Sequence, residues 1–160
     1  MTRQQKLIVY SSVAIISSGY LAYRSIRKGQ IYDEMIVLIN SSGGGEANIQ
    51  RNISALSGRL HTEILASNPD KNIIMLSQEK VKQKAEELEE AIDGLGTNEG
   101  EISAVISYIK DKFALSQIAS YYRAKYNETL EDALRGDLSA NDYRELITNK
   151  LSKLPTVRFS

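Results

Sequence analysis

Ile92-Asp93-Gly94-Leu95-Gly96-Thr97-Asn98-Glu99, with the later Leu130-Glu131-Asp132-Ala133-Leu134-Arg135-Gly136-Asp137-Leu138-Ser139, is the stretch on which the fold turns. Each segment interrupts a run of apolar residues at helical spacing. Val81, Ala85, Leu88 and Ile92 form one stripe before the first loop, and Ile102, Val105, Ile106 and Ile109 form another after it. Leu115, Ile118, Ala119, Tyr122 and Tyr126 make a third, and Leu130, Ala133 and Leu134 a short fourth. Tyr143, Leu146, Ile147, Leu151 and Leu154 make the fifth, which Pro155 closes. Ser139 with Asp142 three residues on reads as the capping start of this last helix. No stretch alternates with period two, so the expected fold class is all-α. Read for turn chemistry alone, Gly94 and Gly96 supply a tight helix-to-helix corner, Thr97 caps the next helix, and Asp137 serves the last loop.

Upstream, Ile49, Ile53, Leu56, Leu60 and Ile64 recur at helical spacing, which predicts one spacer helix from Glu46 to about Ala66. Its expected use is packing onto the C-terminal domain. Ser67-Asn68-Pro69-Asp70-Lys71-Asn72 ends it with turn residues. Ile31, Met35, Leu38 and Ile39 suggest a further helical piece, and Asn40-Ser41-Ser42-Gly43-Gly44-Gly45 a hinge. Leu7 to Ala22 is apolar apart from serines at 11, 12, 17 and 18, with cations on both flanks. A helix from Gln4 to Arg27 would span roughly 36 Å, enough for a bilayer. A membrane anchor, a cleaved signal peptide and a helix buried against partner proteins all fit this pattern, and the anchor is preferred. The expected organisation is an anchor over residues 1–30, hinge and spacer over 31–76, and a helical domain over 77–160.

The 160 residues allow one domain with extensions, and the absence of cysteine excludes disulfides and thiolate chemistry. The formal charge is zero, yet residues 1–30 hold Arg3, Lys6, Arg24, Arg27 and Lys28 without an acid, leaving the remainder acidic. That division points to membrane contact at the front and, for want of a basic face on the body, away from nucleic acid. His61 is the only histidine, and Glu86, Glu87, Glu89 and Glu90 read as a solvated face. A tethered hydrolase using His61 or these glutamates is the rival from another class. No phosphate-binding loop, dinucleotide fingerprint or nucleophile elbow is present, so neither catalysis nor a small-molecule substrate is expected.

The two loop segments at this separation, with five helical pieces around them, resemble a single annexin repeat over about residues 77 to 154. The resemblance implies a five-helix unit in which the first loop binds calcium through backbone carbonyls and an acidic side chain from the last loop completes the site. Matched onto this chain, the carbonyls would be those of Ile92, Gly94 and Gly96, and the carboxylate that of Asp137. Calcium takes six to eight oxygens, so water or a lipid phosphate would fill the remaining positions. The chain departs from the family in carrying one such repeat and in having Asp93 where a basic residue is usual. The expectation drawn from the whole is a non-enzymatic, membrane-anchored structural or assembly protein with membrane lipid and protein partners, for example a subunit of a membrane-containing virion. The alternative is a calcium-dependent phospholipid-binding protein that bridges membranes.

Overall fold

In the computed structural model, residues 46–93 and 96–160 are described. The expected anchor, the 31–39 helical piece, the glycine hinge at 43–45 and Gly94 lie outside them. Among the described residues no helix is long and apolar enough to cross a membrane.

Seven helices make up the described chain: α1 (Glu46–Leu56), α2 (Leu60–Ser67), α3 (Gln78–Asp93), α4 (Glu99–Tyr108), α5 (Lys112–Tyr126), α6 (Leu130–Asp137) and α7 (residues 140–151). The last five follow the apolar stripes closely. Ala85, Leu88, Ile102, Leu115, Ile118, Leu130, Ala133 and Leu134 are wholly buried, each removed from water by a neighbouring helix. Helix α5 lies at the centre, packed against α1, α2, α3 and α6. Its own ends are fixed locally. The Asp111 carboxylate accepts from the Ala114 amide at 2.7 Å, and Asn127 takes the left-handed conformation that closes the helix.

The single helix expected over 46–66 is instead two, joined at Ser57-Gly58-Arg59. Gly58 is the cause: its φ is +76°, and a β-carbon there would sit 2.6 Å from the backbone of Ser120 in α5. Only glycine permits both the corner and the close approach. The turn brings Leu56, Leu60 and Ile64 onto the common core, as the packing expectation required. The Ser116 hydroxyl of α5 accepts from the His61 amide at 3.0 Å and tightens the same contact.

Inside α6, Arg135 and Glu131 form a buried pair one turn apart. Arg135 Nη2 and Nε donate to one carboxylate oxygen at 2.7 and 3.1 Å, and the guanidinium lies 5.0 Å from the Tyr143 ring of α7. Burial pushes the Glu131 carboxyl up, against the opposing pull of Arg135. Helix α7 opens with the expected cap, the Asp142 amide donating to Ser139 Oγ at 3.2 Å, and widens into a π-helical stretch over Tyr143–Thr148.

The C-terminal tail returns to the start of the repeat. The Lys112 and Phe113 amides donate to the Pro155 and Thr156 carbonyls, while Ile73 and Phe159 form an antiparallel bridge. Arg158 Nε donates to the buried Asp111 carboxylate at 2.6 Å. The tail thus ties the α2–α3 linker to the α4–α5 corner.

Candidate functional site

The two loops singled out in the sequence meet in space. Helix α3 ends at Asp93, the chain passes Gly94 and Leu95, and Gly96 follows with φ +99°. That conformation is in the left-handed range natural to glycine, and nothing lies within 4 Å of where a β-carbon would stand. Thr97 Oγ1 donates to the main-chain carbonyl of Asp137 at 3.4 Å, and this contact carries the first loop to the α6–α7 junction. The Asn98 amide donates back to the Ala91 carbonyl at 2.8 Å, closing the corner.

Thr97 is therefore not the cap of α4. Asn98 holds that position, its side-chain oxygen accepting from the Glu101 amide at 3.2 Å. The hydroxyl of Thr97 is committed to the other loop, a contact across 40 residues that local reading does not reveal.

Of the four residues matched to a metal site, Gly96 is exposed in the corner and Asp137 is half-buried at the end of α6. Ile92 is in the last turn of α3, its side chain in the core, and Gly94 lies outside the described residues. Among the described residues no three His, Cys, Asp or Glu side chains gather into a ligand set. A site built from loop carbonyls and one carboxylate does not require such a set. The chemistry of this end suits a cation in a second respect: residues 93–101 and 137–142 hold Asp93, Glu99, Glu101, Asp137 and Asp142, against Arg144, whose guanidinium donates to the Asn141 side chain.

Of the residues of the rival hydrolase reading, His61, Glu86, Glu87 and Glu89 have other partners and Glu90 is exposed. His61 Nδ1 faces Ser116 Oγ at 3.1 Å and its ring stands edge-on to Phe113. Burial lowers its pKa from the ordinary value, partly offset by a hydrogen bond to the Gly58 backbone. Glu86 pairs with Lys125 across to α5, Glu87 with Lys84, and Glu89 accepts from the buried Tyr122 hydroxyl. The lysine partners hold Glu86 and Glu87 below the ordinary carboxylate range. These contacts join α3 to α5 and brace the outer face of α3.

Five helices with the α3–α4 corner docked on the α6–α7 junction define an annexin-like repeat, and the annexin family model matches residues 83–149. Annexin A8 of Rattus norvegicus is 31% identical over 115 residues, covering 69% of this chain and 35% of that protein. Annexin A11 of Homo sapiens is 31% identical over 84 residues, covering 52% of this chain and 16% of its own. The chain thus spans about a third of the length of annexin A8. No solved structure gives a significant match. A match over 69% of the chain cannot be housed in α3 to the C-terminus alone, so the likeness takes in α2 and part of α1.

Proposed function

We propose that the protein is a non-enzymatic, calcium-dependent phospholipid-binding module. The single observation that carries this reading is the docking of the Gly96–Thr97 corner on Asp137, at an end of the domain where five carboxylates outnumber the one arginine bonded there among the described residues, Arg144 on Asn141. Such an end repels an anionic headgroup unless a divalent cation lies between them. The carbonyls of Ile92, Gly94 and Gly96 with the Asp137 carboxylate would hold calcium, and lipid phosphate would complete its shell. The likeness to annexins supports the lipid reading over the assembly reading, and a virion subunit gains no support from the relatives. Residues 1–30 would add a tether beside the calcium contact.

One such site gives weak attachment, since avidity grows with the number of sites engaged together. Calorimetric titration with calcium, with and without phosphatidylserine vesicles, tests the reading. Wild type gives heat that grows when vesicles are present, and Asp137→Ala loses most of it. Equal heats from the two proteins, or none from either, would overturn the proposal.

A further inference from the structure

The opposite end of α3 has the reverse character. Sixteen residues separate the ends of that helix, roughly 24 Å along its axis. At its start the α2–α3 linker pairs with the C-terminal tail: the Ile74 amide donates to the Arg158 carbonyl, and the Ser160 amide to the Asn72 carbonyl, both at 3.0 Å. On this ribbon Met75 is 58% exposed, Phe159 45% and Ile74 36%. Lys71 Nζ lies 5.0 Å from the Phe159 ring. The linker, the α4–α5 corner and the tail together hold Lys71, Lys110, Lys153 and Arg158, against Asp70 and Asp111. Asp111 is fully buried and already paired with Arg158, so Asp70 is the one acid of these loops that faces water. Glu79 follows in the first turn of α3, with Lys80 and Lys82 beside it.

We propose that this ribbon end is a second membrane contact, engaging an anionic bilayer without calcium. Three apolar side chains are too few to bury the ~800 Å² that a standard protein partner covers. They suffice for shallow insertion when flanking cations supply attraction to anionic lipid. The ribbon's cross-chain hydrogen bonds already satisfy part of its main chain, which lowers the cost of leaving water. Lys71, stacked on Phe159, keeps its charge at headgroup level while the ring enters below it. This inference deepens the phospholipid reading and rests on it for the opposing bilayer: with calcium at the Gly96 end, one molecule would hold two membranes.

The chain has no tryptophan, so a single introduced one reports its own surroundings. Full-length Met75→Trp and, separately, Glu101→Trp at the calcium end are mixed with phosphatidylserine vesicles carrying brominated acyl chains, first in chelator and then in calcium. The expected result is quenching at position 75 in both conditions, quenching at position 101 only with calcium, and vesicle clustering only with calcium. Adding Lys71→Glu and Lys153→Glu to Met75→Trp lowers lipid partitioning in chelator by about tenfold or more. No quenching at 75 in chelator, together with calcium-dependent quenching at 101, overturns the ribbon contact and leaves the calcium reading standing. Quenching at 75 with none at 101 in calcium sinks the calcium reading and supports the ribbon. Quenching at 75 unchanged by the charge reversals overturns the inference, as does a position-75 response driven by protein concentration without lipid.

Discussion

Replacing Gly58 with alanine should detach the two leading helices from the repeat. Two costs arise at this position. The residue sits at φ +76°, where an L side chain is strained by about 1 kcal/mol. Its new β-carbon would stand 2.6 Å from Ser120 Cα and N and 2.9 Å from the Ala119 carbonyl carbon. These are main-chain atoms in the middle of the central helix, so the clash is relieved only by moving α1 and α2 outward, at about 1–3 kcal/mol. The total is about 2–4 kcal/mol. Gly96→Ala provides the control, because Gly96 also has positive φ but meets nothing within 4 Å and bears only the strain, about 1 kcal/mol. Urea unfolding followed by circular dichroism should show a lower midpoint for Gly58→Ala, and hydrogen exchange should show lost protection in α1 and α2. If both alanine variants cost the same, the close approach to Ser120 contributes nothing and the reasoning fails.

Arg135→Ala should cost about 3–5 kcal/mol, because Glu131 is left charged and buried, whereas a double replacement by leucine and methionine should be nearly neutral; thermal unfolding of the three proteins separates these outcomes. His61 titrates below its ordinary pKa of 6.5 in the folded chain, so the unfolded chain takes up its proton first as pH falls. Stability is therefore full above pH 6.5 and declines below it, and His61→Gln should show a shallower loss between pH 7 and 5 in urea titrations than wild type. Asp111→Ala should lower stability by about 1–2 kcal/mol through the lost α5 cap and should free the tail, seen as faster exchange of the Ile74 amide.

The helical core was legible because burial and periodicity report the same thing: a stripe such as Val81, Ala85, Leu88 and Ile92 can satisfy its apolar groups in only one orientation. The break at Gly58 was hidden because Leu56 and Leu60 keep the four-residue spacing through it, so the pattern continues while the backbone turns. The same limit applies to Arg135 and Glu131: their spacing of one turn would suit an exposed pair as well as a buried one, and only the neighbouring helices that cover them decide it. At the candidate site the glycine corner was readable from composition, and its docking partner came only from the family likeness. The Thr97–Asp137 contact depends on the relative placement of α3 and α6, which no local pattern encodes. The ribbon of Ile73 and Phe159 went unseen for a related reason, since a bridge of one pair leaves no alternation to detect.

The widened stretch of α7 also makes its length a matter of phase. Tyr143, Ile147 and Leu151 follow one another every four residues and all face inward, an arrangement that a wider turn tolerates better than a 3.6-residue one. Deleting one residue within Tyr143–Thr148 would let the helix relax to regular winding with the residues beyond it keeping their direction, because a π turn holds about one residue more than an α turn. A residue lost from the regular part of α7 has no such slack, and would turn Leu151 toward solvent by about a quarter-turn and bring Arg158 out of step with Asp111. The widened stretch is therefore where α7 should best absorb a lost residue, provided Tyr143 and Ile147, both buried in the core, keep their places.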